Sequence, residues 1–341
     1  MSVIATCLEM LGAEIAARSA AIGRRVNIGA LGVSDRGGHI ALGPPDHRSP
    51  NRATQMVRAS DGWIAVNMAR EDDREMLPAW LGGDIGTDFW EAIAEGARRR
   101  PARDLVDAGV LLGIPVARVC EVAAADCNVP LITMAQSGRT RREALRVVDL
   151  SALWAGPLVG SVFAALGASV MKVESSRRAD PTWESMPRFN ACLNGGKTLR
   201  RHDLTSPAGQ ADLHRAVLEA DVLVTSARPR AFEGLGLSPR SVFADNPDLI
   251  WVAVTGYGWE EPGASRVAFG DDAAAAGGLV GWDRGAPQFL GDALADPVTG
   301  LAGAAGALRV LEAGGGGVIV DAAMARCAAG AAAVCGLARA A

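Results

Sequence analysis

The chain has 341 residues, 49% of them hydrophobic and 21% charged, with a formal net charge of −4. That size supports a large domain and a smaller one, each with its own core, and the near-balance of charge gives no general attraction to nucleic acid. Six cysteines (7, 120, 127, 192, 327, 335) and four histidines (39, 47, 202, 214) show neither CxxC nor metal-ligand spacing, which argues against a zinc centre and a disulfide framework.

The N-terminal stretch "MSVIATCLEMLGAEIAARSAAIGRR" lacks a basic start, and Glu9 and Glu14 interrupt its apolar run. It reads as an amphipathic helix rather than a signal peptide. No other apolar run is long enough for a membrane span, so a cytoplasmic location is expected. A Gly- and Pro-rich segment (27–52) follows, then a hairpin over 54–69 around Ser60-Asp61-Gly62. Two amphipathic helices come next, and a third in "PARDLVDAG" is expected to end at Gly109. A strand is expected over 114–122, then an irregular connector over 123–143.

From Arg146 the grammar changes to alternating strand and helix. Strands are expected at 146–151, 169–174, 221–227, 248–258 and 317–322. Helices are expected at 155–168, at 206–220 with Ser206 as N-cap and Pro207 at N1, at 237–247, from "DDAAAAGGLVG", from "ADPVTGLAGAAGAL" and at the Ala-rich end. This pattern predicts an α/β fold: a Rossmann-like parallel sheet in a large domain, with a second, smaller α/β domain. The expected boundaries are 1–30 for an N-terminal helix packing on the large domain, 31–125 for the small domain, 126–145 for a linker and 146–341 for the large domain.

Ligands of such sheets bind beyond the carboxyl ends of the strands. Those ends carry Arg177 and Arg178 in "SSRRADPTW" and Arg228 and Arg230 in "SARPR", and between them in the chain lies "NGGKTLRRHDL" with Lys197, Arg200 and Arg201. Guanidinium and ammonium groups gathered on that edge suit phosphates. A dinucleotide fold would need GxGxxG after its first strand, and "SALWAGP" has no such glycines. "GGGG" (314–317) lies between a helix and a strand and reads as a helix C-cap and turn. Asp296, in "ADPVTG", reads first as an N-cap followed by Pro at N1.

The stretch "RVVDLSALWAGPLVGSVFAALGASVMKVE" resembles the opening of the class III CoA-transferases, the CaiB/BaiF family. The resemblance continues through "LNGGKTL", "ADVLVTSARPRAFEGLGL", "NPDLIWVAVTGYG", "ADPVTGLAGAAGAL" and "GGGGVIVDAAM". "RASDGWIAVNMAREDDREMLPAWLG" through "LLGIPVARVCEV" is similar to the family's small domain, which normally follows the large one. The order therefore implies a circular permutation, or a cut through a tandem duplication. The resemblance implies a CoA-transferase with Asp296 as the catalytic nucleophile, its carboxylate kept ionised by the helix dipole. It implies CoA contacts at Ala152, Leu153, Trp154 and Ala155, with Arg177, Arg178, Lys197, Ser226 and Arg228 nearby.

The family's usual Arg directly after "KVE" is replaced here by Ser175, and "DRGGHI" (35–40) is a weak counterpart of its Gly-rich covering loop. The implied substrates are acyl-CoA and a carboxylic acid, with CoA as substrate rather than a tightly bound cofactor, in a homodimer, interlocked in the family. The family also holds α-methylacyl-CoA racemases, whose base is a His; Asp271 stands at that place in this chain, which favours the transferase. A non-catalytic acyl-CoA-binding partner is the alternative from another class.

Overall fold

The computed structural model describes residues 3–83, 85–123, 129–138 and 144–337. The expected linker thus falls partly outside the described residues, as do Cys127 and the last four residues.

The N-terminal half contains a three-stranded antiparallel sheet of β1 (Thr54–Arg58), β2 (Trp63–Asn67) and β3 (Val116–Arg118), in that order. The β1–β2 hairpin forms as expected: β-branched and apolar residues flank a Ser-Asp-Gly turn, and Arg58 pairs with Trp63. Val57, Ile64, Trp80, Ile93 and Leu105 fill the core between this sheet and its helices. The third helix runs Ala102–Leu112 and ends at Gly113, whose φ of 74° closes it, rather than at Gly109. Gly109 is instead the point of close approach to β3, where a Cβ would overlap Val116 Cγ1. Strand pairing stops at Arg118 because Cys120 turns into the left-handed region, with φ 60°.

The larger sheet has seven strands. They are β4 (Leu131–Thr133), β5 (Arg146–Leu150), β6 (Ser169–Ser175), β7 (Thr198–His202), β8 (Val222–Thr225), β9 (Ile250–Thr255) and β12 (Val318–Ala323); a separate hairpin holds β10 (Val280–Asp283) and β11 (Ala286–Phe289). The order is β4-β12-β9-β8-β5-β6-β7. All pairs are parallel except β4, which runs antiparallel to β12. The parallel strands follow the doubly wound order of Rossmann folds, reversing between β5 and β8. Strands β8, β9 and β12 are buried along their whole length, as their mainly apolar sequences require, with Thr225, Thr255 and Asp321 as buried polar exceptions.

Strands β4 and β7 and the β10–β11 hairpin had no counterpart among the expected elements. β4 lies in the stretch read as an irregular connector. β7 reads "TLRRH", with an exposed, charged edge that carries no period-2 signal.

Helices cover both faces. On one, Leu213, Val217, Trp251 and Phe243 form a core. On the other, the Ala295–Glu312 helix packs against the Ala155–Leu166 helix and against the N-terminal helix Ala5–Ile22, whose Leu11 and Ile15 join the same cluster as Leu301 and Ala304. An Arg18–Glu312 ion pair of 2.5 Å closes the end of this packing. The small sheet docks on the Gly270–Gly277 helix through Met56, Ala65 and Ala275, and Cys120 N–H donates to Ala275 O at 2.9 Å.

Candidate active site

A cleft of about 840 Å³ opens where the strand order reverses, at the carboxyl ends of β5, β6, β8 and β9. Its floor is the loop after β5. Leu153 sits there with φ 68°, a conformation that a branched side chain rarely adopts. Two contacts hold the loop: Asp180 Oδ2 accepts from Leu153 N–H at 2.9 Å, and Ser226 Oγ accepts from Ala152 N–H at 2.8 Å. Asp180 is itself fixed by Thr182 and lies 3.9 Å from buried Lys172, whose Nζ donates to Ser151 O.

Of the residues singled out in the sequence, Ala152, Leu153, Ala155, Arg178, Ser226, Arg228 and Asp296 line this one cleft. Trp154, Arg177 and Lys197 do not. Trp154 is buried, donates from Nε1 to Val33 O at 2.8 Å and meets Phe189 edge-on. Arg177 lies on the surface, paired with Asp203 at 2.9 Å. Lys197 is buried with its ammonium on Asp149 at 2.7 Å, on Pro157 O and on Asn194 Oδ1.

Sequence reading missed Arg70, Arg266 and Phe269 in the cleft wall. Arg70 comes from the N-terminal half, is anchored by Asp73 and Gly113 O, and stacks on Phe269. It has no local motif; only the docking of the two halves brings it there. Arg178, Arg228 and Arg230 have no carboxylate within ion-pair distance among the described residues. Burial and the neighbouring charges of Arg230 and Arg70 push the Arg228 guanidinium down from its usual pKa, so this wall holds uncompensated positive charge. Among the described residues no group of three or more His, Cys, Asp or Glu could hold a metal ion, and no helix is long and apolar enough to cross a membrane.

Asp296 does not cap its own helix. The helix starts at Ala295, with Leu294 as its N-cap in helical conformation and no side-chain cap. Asp296 therefore sits in the first turn, and its Oδ1 accepts from Ala155 N–H, at the start of the neighbouring helix, at 3.3 Å. Gly270 faces the carboxylate so closely that a Cβ there would overlap Asp296 Oδ2. The expectation that the helix dipole keeps this group's pKa low is also corrected. Burial pushes it up to about 7; Arg36 and the Ala155 N–H pull it down, while Asp271 and Asp292 push it up. One weak hydrogen bond and a dipole do not offset desolvation on the protein side of the carboxyl.

Behind the carboxylate lies a half-buried network outside the cleft. Arg36 pairs with both oxygens of Asp292, Asn51 Nδ2 donates to Asp292 Oδ1 at 2.7 Å and to Asp271 Oδ2 at 2.8 Å, and Thr54 Oγ1 donates to Asp271 at 3.2 Å. Asp271 Oδ1 accepts from Ala293 N–H at 2.7 Å. Asp272 caps the same helix through Phe269 N–H. "DRGGHI" is thus tied to the large sheet's helices through Arg36, and His39 rests on Phe189.

Residues 143–336 match CoA-transferase family III. The chain is 33% identical over 190 residues to the succinyl-CoA–D-citramalate CoA-transferase of Chloroflexus aurantiacus, covering 52% of this chain and 47% of that one. It is 31% identical over 173 residues to the succinate–glutarate CoA-transferase of Agrobacterium fabrum, covering 46% and 43%. Among solved structures, a CaiB/BaiF family protein from Brucella suis superposes with a TM-score of 0.51 at 31% identity, over 55% of this chain and 54% of that one. The Mycobacterium tuberculosis protein Rv3272 gives 0.52 at 31%, over 57% and 58%. The chain spans about half the length of the curated relatives it matches. With the family matched over more than half of its residues, the chain belongs to CoA-transferase family III.

Proposed function

We propose that this chain moves coenzyme A between carboxylic acids, with Asp296 as the reacting carboxylate. The observation that carries this reading is the shared cleft: the loop after β5, an unpaired arginine wall and the Asp296 carboxylate all face the same 840 Å³ space. Arg178, Arg228 and Arg230 would take the phosphates of CoA. The β5 loop would take the adenine and pantetheine through its main chain, in a narrower set of contacts than the sequence implied, without Trp154, Arg177 or Lys197.

In this reading an Asp296 oxygen attacks the thioester carbon; the C–S bond breaks and CoA leaves as thiolate, giving a mixed anhydride. The thiolate then attacks the aspartyl carbonyl, the donor acid departs as its carboxylate, and an aspartyl–CoA thioester remains. The acceptor carboxylate attacks that thioester, and the released thiolate takes the new acyl group from the second anhydride. No proton is gained or lost, so no general base is required, in keeping with a lining that holds no histidine among the described residues. Burial leaves the Asp296 carboxylate poorly solvated, which favours attack, and a pKa of about 7 still keeps the ionised form available at neutral pH.

Two features argue against a racemase. Asp271, the counterpart of the racemase base, lies outside the cleft, and both of its oxygens accept hydrogen bonds from Asn51, Thr54 and Ala293. Two of the relatives named above are a succinyl-CoA–D-citramalate and a succinate–glutarate CoA-transferase, and a small dicarboxylic acid is our reading for one substrate. The assembly we propose is a homodimer, which light scattering tests.

The test of the reaction is incubation of the chain with succinyl-CoA and a panel of carboxylic acids in heavy water. New acyl-CoA without deuterium supports the transferase. Deuterium at the α-carbon without transfer supports the racemase. CoA retention with neither product supports a binding protein.

A further inference from the structure

The turn that launches the Asp296 helix is held from outside the large sheet. Ala293, three residues before Asp296, has φ 46°, a left-handed conformation that alanine avoids unless its surroundings impose it. Three contacts impose it here. Asp271 Oδ1 accepts from the Ala293 N–H, the Arg36 fork grips the Asp292 carboxylate, and Asn51 bridges Asp292 and Asp271. Ala293 O in turn accepts from Asp296 N–H at 2.9 Å. Arg36 is stacked on Trp154, 5.2 Å from its ring centre, and lies against Met186 Sδ, so its fork has little freedom to swing away. Arg36 and Asn51 both belong to the Gly- and Pro-rich segment of the N-terminal half, and neither lines the cleft.

We propose that Arg36 and Asn51 are positioning residues: they pin the Gly291–Leu294 turn from the far side of the helix start and thereby fix where the Asp296 carboxylate stands in the cleft. The proposal rests on the reading of Asp296 as the reacting group, but its geometry does not. It assigns the Gly- and Pro-rich segment the role of a clamp behind the reacting carboxylate. It also has an electrostatic side. The charged groups facing Asp296 are Arg36, Asp271 and Asp292; Asp272 faces Asp271, and Arg266 faces Asp272. Among the described residues Arg36 is the cation directly facing these three carboxylates, so its loss leaves them to repel one another and Asp296 takes up a proton more readily.

The test uses intact protein labelled with carboxyl-¹³C aspartate, the Asp296 resonance being assigned by its absence in Asp296→Asn. In Arg36→Met its titration midpoint should rise by about one pH unit or more. The acid limb of kcat/KM should rise with it, and kcat should fall more than the KM for acyl-CoA changes. Arg36→Lys should restore the midpoint in large part but not kcat, because an ammonium keeps the charge and loses the fork. Asn51→Ala, which removes no charge but breaks the bridge between Asp292 and Asp271, should lower kcat more than it changes the KM for acyl-CoA, and serves where Arg36→Met does not fold. A midpoint and acid limb unmoved in Arg36→Met and a kcat unmoved in Asn51→Ala, with transfer continuing, would overturn the proposal. A midpoint that moves in Arg36→Met while the wild-type chain shows no transfer activity would leave the clamp standing and remove the transferase reading instead.

Discussion

Two carboxylates of this molecule are ringed by protein at the same end of the same sheet, and they are treated oppositely. Asp149 closes β5 with Lys197 at 2.7 Å, the Ser151 N–H at 3.1 Å and the Ser151 hydroxyl around it. Burial alone would raise its pKa, yet Lys197 and Lys172 outweigh that and hold it below the ordinary carboxylate range. Asp296 has one backbone donor at 3.3 Å and no ion pair of its own, and its pKa rises to about 7. A fully satisfied carboxylate is part of the scaffold, whereas an under-satisfied one beside a cleft is poised for chemistry.

The largest effect should come from Asp296→Asn. Asn keeps an oxygen for the Ala155 N–H but cannot form the anhydride, so kcat should drop by on the order of 10⁴-fold or more. Acyl-CoA binding, followed by calorimetry, should change little. Next is Lys197→Met, which leaves Asp149 buried without its partner. We expect a loss of about 3–5 kcal/mol in urea unfolding, and any residual folded fraction should retain the cleft chemistry.

Third, Asp296→Asn should be more stable than the wild type at pH 8. The folded carboxyl titrates near 7 against 3.8 in the ordinary state, so the native state binds more protons between those values and stability falls as pH rises through that window. Removing the carboxyl should recover about 2–4 kcal/mol at pH 8, the lower figure allowing for water in the cleft, and almost nothing at pH 4. Equal melting curves at both pH values would show that Asp296 is as comfortable as Asp149.

Fourth, Arg228→Gln should raise the KM for acyl-CoA about tenfold, the worth of one charge-assisted hydrogen bond, with kcat nearly unchanged. Last, Arg177→Gln should alter KM by less than about twofold, because Arg177 is spent on Asp203 at the surface and does not reach the cleft.

Much of this was legible in the residues themselves. The Ser-Pro starts at 206 and 238 became helix N-termini with side-chain caps, and the apolar runs became buried parallel strands. Asp296, the β5 loop, Arg178, Ser226 and Arg228 could be named because they follow strand ends or stand in a family pattern. The rest depended on contacts that no local pattern records. Lys197, just before β7, and Arg228, after β8, are both loop cations of the large sheet, and only burial beside Asp149 separates a scaffold cation from a cleft cation. Trp154 stands in the family's CoA loop but turns into the core towards Val33. Arg36, Asn51 and Arg70 lie more than two hundred residues from Asp296 in the chain and reach the site through the docking of the two halves. The helix-dipole argument for a low pKa at Asp296 was sound locally and lost to desolvation, a quantity the sequence does not carry.

The contrast between the two carboxylates is tested most directly by trapping. The chain is incubated with succinyl-CoA, treated with borohydride and digested, and its peptides are weighed. An aspartyl thioester is reduced to an alcohol, so the account predicts homoserine in place of Asp296 and an untouched Asp149. Steady CoA transfer with Asp296 recovered as unmodified aspartate, or reduction at any other carboxylate, would contradict it.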